Sequence, residues 1–549
     1  MKGVLVLGLA ASLTACLDLS VLNENLPDRR RALSNETDVE NILAISTWRR
    51  WYAVNHSLAN IAGTFPLLAD EAGNTSSYMN THWGQEPPIA FRNDDLSPHI
   101  WMPRTGYTEF SECVANANDG LQQINEGMRL VTLDIGADSA RDNTDRAWAW
   151  GKLWQGICAA YLANYLDRFA MATEEIKLPE GWEALAAWET ERLREPNWQP
   201  NLQIGIEAIE AAIKRMETGA QWMTPEQWIN GQRYSNQQMI EFAHTMIARM
   251  LIYSARYPAD REALDWNKIL QHTERGLTYD WGPILASGVI TDPSYLARLN
   301  NTGSGSFRID YRTIGPADQS GRWQTWMKTE PRQDADRFLI VTPDRRITGN
   351  TPTSNGAYLR YLTAFSGYNT NLGLNHRSFY SWWRRINYQG ANHTAGHFAL
   401  ATEDENRLYR AEAMLRLGRL QEAAELINVT RTRGQKAGNT TWATNLPPVT
   451  AAGGVPTVNG ACVPRRADGT CGDLMDALMY ERDIELIGIE STRSWMDRRG
   501  FGQLRDGVFV HLPVPARWLV SFGLPLYTFG GIGGEGSATC TARLSCLLP

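Results

Sequence analysis

The chain has 549 residues, 43% of them hydrophobic and 21% charged, so it is able to bury a large core. Its length suggests roughly two to four domains. The formal net charge is −7 and no basic block occurs, which excludes electrostatic capture of nucleic acid. Beyond the N-terminus there is no run of about eighteen apolar residues, so we expect no membrane-spanning helix in the remainder.

The N-terminus has the pattern of a bacterial lipoprotein signal. Lys2 supplies a positive charge, and residues 4–11 form an apolar run that is too short to span a bilayer. Small residues then precede Cys16, whose thiol would take the diacylglycerol. An ordinary secretory signal would share the apolar run but would not need the cysteine. The pattern therefore predicts lipidation at Cys16.

The same pattern sets the first boundaries along the chain. We predict a lipoprotein signal peptide over residues 1–15 and a lipidated tether over residues 16–33. Several acyl chains would make a durable membrane anchor. Asp18 stands two places after Cys16. Because an acidic residue directly after the lipidated cysteine can retain a lipoprotein at the inner membrane, outer-membrane delivery is favoured but not fixed.

Four cysteines near the C-terminus indicate an oxidising compartment. Cys462 and Cys471 flank a short polar loop, and Cys540 and Cys546 flank another. We predict a local disulfide in each loop, which only an oxidising compartment would maintain. Zinc binding is the alternative, but no C-x2-C spacing is present. No metal site is expected.

Most of the chain after the tether has helical periodicity. Apolar residues recur at i, i+3, i+4 and i+7, as in Ala147, Trp150 and Trp154. Cys113 and Cys158 lie in such patterns among apolar neighbours, and we expect both to be buried free thiols. Helices are predicted over residues 34–56, 110–133, 144–173, 201–218, 235–257, 266–276, 403–417, 420–433 and 472–489.

Two segments have the pattern of a helical repeat. Residues 403–434 contain small residues where two helices would meet and Gly418 at the turn, as in a tetratricopeptide repeat. Residues 232–277 have a similar pattern. An ordinary helical hairpin is the alternative for either segment alone, but several stacked hairpins would bury a continuous core.

The order of motifs along the chain resembles the SusD/RagB family of outer-membrane nutrient-uptake lipoproteins. In the C-terminal part, Ser491 and Thr492 stand where the family usually has a Gly-His pair, and a Gly-rich tail replaces the usual Asn-rich ending. The segments that carry the resemblance are the lipidation site with its tether, residues 34–43, the acidic turn 66–71, the repeat 408–433, residues 481–486, residues 493–499 and residues 511–515.

The resemblance implies a mainly α fold with about four tetratricopeptide-like helical pairs, few short strands and a loop-rich ligand-binding region. Residues 34–280 would form an N-terminal SusD-like helical region, and residues 281–397 a loop-rich insert that contributes to the ligand face. Residues 398–549 would form the C-terminal SusD/RagB region with its repeat.

The resemblance also implies a function. The protein would bind an oligosaccharide, or a peptide in some branches of the family, at the cell surface. It would deliver this nutrient to a SusC-like TonB-dependent transporter in the outer membrane, without catalysis and without a cofactor. An envelope repeat scaffold that binds no small molecule and a glycoside hydrolase are the alternatives.

Aromatic residues in the two irregular regions, residues 64–108 and about 280–397, suggest where a sugar would bind. The chain has 21 Trp and 19 Tyr. Aromatic rings stack on the C–H face of a sugar, while Asp, Asn and Arg bind its hydroxyls. A structural role is the alternative for each candidate. The candidate ligand-binding residues are Asp70, Asn74, Tyr78, Trp83, Trp101, Tyr311, Trp323, Trp326, Trp382 and Trp383.

Motifs for catalysis are weak. His393 and His397 have the spacing of a zinc-binding pair, but the glutamate of the zinc-protease motif is absent between them. Glu481 and Glu485 could be imagined as a glycosidase pair. Because arginines neighbour them on a helical pattern, we expect structural ion pairs instead.

Overall fold

The computed structural model describes residues 33–57, 64–74, 88, 90–94, 101–134, 138–286, 307–329, 334–363, 377–384, 395–437, 440–442 and 444–547. The predicted signal peptide, the lipidation site Cys16 and the tether up to residue 32 lie outside these ranges. Among the described helices, none is both long enough and apolar enough to cross a membrane.

The N-terminal part is built almost entirely of helices. Two π-helical turns, Ile42–Ser46 and Ala53–Ser57, follow the first two α-helices and continue their path. The elements are α1 (Glu36–Asn41), α2 (Thr47–Tyr52), α3 (Thr64–Leu68), β1 (Ala72–Asn74), α4 (Trp101–Asn125), β2 (Val131–Thr132), β3 (Arg141–Asp142), α5 (Thr144–Tyr165), α6 (Trp182–Arg192), α7 (Trp198–Thr218), α8 (Asn236–Tyr253), α9 (Pro258–Glu262) and α10 (Trp266–Glu274).

The insert carries short strands and short helices, and longer helices resume after it. The remaining elements are β4 (Ile284–Ala286), β5 (Phe307–Ile309), α11 (Tyr311–Ile314), α12 (Arg322–Lys328), β6 (Leu359–Tyr361), β7 (Tyr380–Trp382), β8 (Ala395–His397), α13 (Glu403–Arg416), α14 (Leu420–Arg431), β9 (Gln435–Ala437), β10 (Thr440–Trp442), α15 (Leu474–Glu485), α16 (Arg493–Phe501) and α17 (Ala516–Ser521).

The strands form five two-stranded antiparallel sheets within the described ranges, namely β1–β5, β2–β3, β4–β8, β6–β7 and β9–β10. The helices pack as stacked hairpins: α8 lies against α10, α10 against α13, and α13 against α14 and α15. The prediction of a mainly α fold with few short strands is therefore confirmed.

Local signals explain where several helices begin. Ser235 caps α8, and its side chain and that of Gln238 form a reciprocal capping box. Thr402 and Glu405 form the same motif at the start of α13. The rings of Trp48, Trp150 and Trp154 are fully buried, as their helical spacing predicted.

Three predicted helix boundaries are wrong by eight or nine residues, and one of them is the end of α4, which lies at residue 125 rather than 133. α4 begins at residue 101 rather than 110, because Pro103 and Gly106, which disfavour a helix interior, fall in its first two turns. Proline is tolerated there because the first N–H groups of a helix have no intrahelical partner. α5 ends at residue 165 rather than 173, because Leu166 turns extended and forms a bridge with Leu512.

The expectation of free thiols at Cys113 and Cys158 is also wrong. These residues form a disulfide that joins α4 to α5, with their Cα atoms 6.3 Å apart. Helical periodicity places both residues on buried faces but does not say which faces meet. The structure also contains the two local disulfides, Cys462–Cys471 and Cys540–Cys546.

Candidate functional site

The two irregular regions that were predicted to form a ligand face meet in the structure. β1 pairs antiparallel with β5, with Ala72 opposite Ile309. The Thr313 hydroxyl donates to the Asp70 carbonyl oxygen at 2.7 Å. β7 packs against β5, which places the β6–β7 sheet beside the β1–β5 sheet. We call this pair of sheets, with residues 337 and 377–384 around it, the insert face.

Asp70 does not face solvent, which corrects its assignment to ligand binding. It lies at a turn with φ of +56°, and it is 1% exposed. The Arg505 guanidinium donates through Nε to its carboxylate at 2.9 Å. The acidic turn therefore ties the N-terminal part of the chain to the segment after α16 through a buried ion pair.

Four of the candidate aromatic residues are buried, and their assignment to ligand binding is corrected. Tyr311 stacks on Phe338 with ring centroids 4.3 Å apart, and its hydroxyl donates to the Phe338 carbonyl oxygen. A ring enclosed on both faces offers no plane to a ligand, so these residues pack the core beneath the insert face. The buried candidates are Tyr311, Trp323, Trp326 and Trp382.

Trp383 is the candidate that stays partly accessible among the described side chains. It is half-buried, and its indole Nε1 donates to the Gly356 carbonyl oxygen at 2.9 Å, which fixes the ring. Tyr361 and Phe379 are half-buried nearby, with ring centroids 5.9 Å apart. A fixed, partly exposed ring is the geometry that stacking on a sugar requires.

The other candidates cannot be placed at the level of side chains. Asn74 is the last residue of β1 and Trp101 is the first residue of α4, but their side chains lie outside what the structure describes. Tyr78 and Trp83 lie outside the described residues altogether. Their roles stay predictions.

The sequence analysis missed a group of arginines at the insert face. Arg308 lies on β5, Arg360 on β6, and Arg377 forms a bridge with Asp310. Burial, together with the charges of Arg360, Arg377 and Arg337, lowers the pKa of the Arg308 guanidinium to about 10. Because these arginines are scattered along the insert, no local motif marks them. Arg308, Arg360 and Arg377 are buried, so these guanidinium groups belong to the interior beneath the insert face.

Glu481 and Glu485 serve as structural ion-pair partners. Both side chains are fully buried, and Arg346 Nη1 lies 2.6 Å from Glu481 Oε2 and 3.0 Å from Glu485 Oε1. The Tyr358 hydroxyl also donates to Glu485 at 2.9 Å. Burial raises the pKa of Glu481, and the Arg346 charge partly offsets this. These carboxylates join α15 to the insert and lie in no open cleft.

One member of the histidine pair lies within the described residues. His397 lies in β8, where its Nε2 is 3.3 Å from the Tyr234 hydroxyl, and His393 lies outside the described residues.

No family model and no curated protein matches the sequence. Among solved structures, a SusD superfamily protein from Parabacteroides distasonis aligns over 86% of this chain and 90% of its own, with a TM-score of 0.52 and 12% identity. The chain has the SusD-type fold. A SusD superfamily protein from Bacteroides thetaiotaomicron (90% and 96% covered, TM-score 0.49, 13% identity) and a SusD-like carbohydrate binding protein from Bacteroides vulgatus (94% and 95%, 0.45, 13%) also align.

The arginines of the C-terminal motif are buried where several elements of the fold meet. Arg493 pairs with Glu71 at 2.6 Å, and Arg498 lies 3.1 Å from Asp483, with all four groups buried. The Arg499 guanidinium donates to carbonyl oxygens from three separate segments. α16 is therefore the element on which the acidic turn, α5 and α8 converge.

Proposed function

We propose that this chain is a surface-exposed lipoprotein of the outer membrane, a member of the SusD/RagB family, that binds a nutrient and delivers it to a SusC-type TonB-dependent transporter. An oligosaccharide is the preferred ligand, and a peptide is the second choice. Lipidation at Cys16 would hold the protein at the membrane. The insert, residues 281–397, would supply most of the ligand face.

The meeting of the two irregular regions at the insert face carries this proposal. The stacked hairpins supply a rigid support, and the β1–β5 sheet joins segments that are far apart in sequence on one side of it. Binding residues commonly lie on loops that a rigid scaffold positions. Trp383, Tyr361 and Phe379 offer partly exposed rings there.

The proposed mechanism is binding without bond cleavage. The ring of Trp383 would stack on the C–H face of a sugar. The carboxylates suggested as a glycosidase pair are already engaged with Arg346 in the interior, so they are not available to a ligand. Reversible, water-accessible contacts suit a protein that must release its ligand to a transporter.

A glycan and peptide array with the full chain is the experiment that tests ligand binding, followed by titration of the best ligand. Trp383→Ala should weaken binding by about tenfold, because one stacking contact and its burial are lost. The matched control is Trp182→Ala, which removes a tryptophan that is 70% exposed on α6, away from the insert. Equal affinities of both variants would contradict a ligand site at Trp383, and the far-UV circular dichroism checks that each variant is folded.

The transporter and the anchor need separate experiments. Affinity purification from detergent-solubilised membranes should recover a large outer-membrane β-barrel, and its absence would favour the scaffold alternative.

Cys16→Ser should move the protein from the membrane fraction to a soluble fraction. Membrane association that survives this substitution would contradict lipid anchoring. Cleavage of an array glycan that one acidic substitution abolishes would favour the hydrolase alternative.

A further inference from the structure

An apolar cavity of about 480 Å³ lies in the C-terminal part of the molecule. Its lining comes from residues 444–448, from residues 456–463, from Thr432 directly after α14 and from Pro343 of the insert. None of these residues belongs to the insert face. The volume lies within the range of small-molecule sites.

The lining of this cavity has no charged side chain among the described residues. Leu446 and Val463 are buried in its wall, and Val458 is 49% exposed at its rim. Four of the twelve lining residues are prolines, which have no N–H group to donate. An ion in the cavity would lose its hydration without gaining a partner, so the lining selects a neutral and mainly apolar ligand. The prolines are Pro343, Pro447, Pro448 and Pro456.

The buried guanidinium of Arg431 holds two walls of the cavity together. Its Nε donates to the Pro447 carbonyl oxygen at 2.7 Å, and its Nη2 donates to the Val463 carbonyl oxygen at 2.6 Å. Arg431 does not line the cavity, so these two carbonyl oxygens point away from it towards the interior. The walls are therefore fixed in position and offer the cavity mainly C–H groups.

Further contacts fix the remaining sides of the cavity. The Asn445 side-chain oxygen accepts from the Arg345 N–H at 2.7 Å, which ties one wall to the insert. Cys462, whose two neighbours line the cavity, forms a disulfide with Cys471. The Gln319 side chain donates to the Cys462 carbonyl oxygen at 2.8 Å and accepts from its N–H at 3.0 Å. A cavity that is already formed costs less free energy to order when a ligand binds.

Proline-rich walls favour a flat aromatic ring over other apolar groups. The C–H groups next to the amide of a proline carry partial positive charge, whereas the face of an aromatic ring is negative. Contact between them adds attraction to the hydrophobic effect of filling the cavity. Thr444 and Asn459 have exposed side chains at the rim, where a hydroxyl or N–H group on the ring would find hydrogen-bond partners.

We propose that this cavity is a binding site for a small, neutral aromatic molecule of one or two rings with one polar substituent, such as a phenol or an indole. The ring would lie between the proline walls, with its substituent at the rim beside Thr444 and Asn459. The site is separate from the insert face and does not depend on the proposed transport function.

Calorimetric titration of the full chain with three molecules of similar size tests the chemistry of the site. p-Cresol should bind saturably and at least about tenfold more tightly than p-toluate, because the cavity offers no partner for a carboxylate. Methylcyclohexanol, which has a puckered ring in place of the flat one, should bind more weakly than p-cresol. Absence of saturable p-cresol binding would overturn the proposal, as would equal or tighter binding of either analogue.

A charge placed at the rim locates the binding. Val458→Asp should weaken p-cresol binding at least about tenfold, and the exposure of this side chain lets the variant fold, which far-UV circular dichroism checks. Val520→Asp is the matched control. It makes the same change at a valine that is 64% exposed on α17 and does not line the cavity, so the affinity should stay unchanged. Equal affinities of the two variants would overturn the proposal.

The insert-face variant separates this proposal from the proposed function. Trp383→Ala should keep p-cresol binding, whereas Val458→Asp should keep binding of the array ligand. If Trp383→Ala abolished p-cresol binding and Val458→Asp did not, the aromatic molecule would bind at the insert face. The cavity proposal would then be wrong while the transport proposal stood.

Discussion

Arg261 and Glu412 form a bidentate ion pair in the interior of the protein. Arg261 Nε donates to Glu412 Oε1 and Nη2 donates to Oε2, each at 2.7 Å, and both side chains are completely buried. Arg261 also pairs with Asp497 at 2.8 Å, and Arg482 bridges Glu412 and Asp497. α9, α13, α15 and α16 are thus joined by one network of charges.

Removing one charge from this buried network should lower the stability of the protein. Glu412→Gln should lower the free energy of unfolding by about 3 kcal/mol, because it leaves the charge of Arg261 buried without its full compensation. Urea denaturation measures the change. Glu422→Gln is the matched control, because it removes a carboxylate paired with Arg419 on the exposed face of α14, and it should have no measurable effect. Similar losses of unfolding free energy in both variants would contradict the conclusion that the buried ion pair matters more than the exposed one.

Stability should decrease in acid because of His56. Its ring is fully buried against Tyr52 and Phe398, and neither ring nitrogen has a hydrogen-bond partner among the described residues. Burial, and then the charge of Arg249, lowers the pKa of His56 to about 3. As the pH falls, the unfolded chain therefore takes up a proton at His56 before the folded chain does. The stability that neutral His56 allows is complete above a pH of about 6.5 and is lost progressively as the pH falls towards 3.

A variant isolates the contribution of His56 to this pH dependence. Between about pH 4 and 6, the unfolded chain binds one proton at His56 that the folded chain does not. His56→Phe removes this difference, so the slope of the free energy of unfolding against pH should decrease by about 1.4 kcal/mol per pH unit. Phe398→Leu, which alters the same contact without a titrating group, should lower stability and keep the slope. An unchanged slope in His56→Phe would show that this ring is not buried as a neutral group.

The disulfide between α4 and α5 should contribute more to stability than the C-terminal one. Cys113 and Cys158 are 45 residues apart in sequence, whereas Cys540 and Cys546 are 6 apart. Closing a longer loop removes more entropy from the unfolded chain, so replacing the first pair by alanine should cost about 2 kcal/mol more than replacing the second. Thermal unfolding of the two double variants measures the difference, and thiol labelling of the denatured wild-type chain should detect neither pair.

An added methyl group at the contact between α5 and α7 should destabilise the protein. A Cβ on Gly156 would lie 2.5 Å from the Gly205 carbonyl oxygen and 2.7 Å from Ile209 Cγ1. Gly156→Ala should therefore lower the free energy of unfolding by about 2 kcal/mol, since the backbones must move apart. Gly454→Ala, where a Cβ would meet nothing within 4 Å, should change it little. A neutral Gly156→Ala would mean that the helices are less closely packed.

The sequence by itself determined most of the long helices and their order, because a helix that packs on one side repeats its apolar residues with the helical period. It did not indicate α6, in which no residue is buried. Predicted helices at 201–218, 266–276 and 403–417 correspond to α7, α10 and α13 with small shifts at their ends. The C-terminal arginine motif also pointed to the SusD-type fold, through its resemblance to the SusD/RagB family.

Only the tertiary structure decided which side chains meet. Cys113 and Cys158 each looked like an isolated buried thiol, and their bond depends on how α4 lies against α5. Loop aromatics such as Trp323 and Trp382 looked available to a ligand, yet they are enclosed by residues distant in sequence. Periodicity describes one element at a time, whereas burial and pairing are properties of the contacts between elements, which depend on how the whole chain packs.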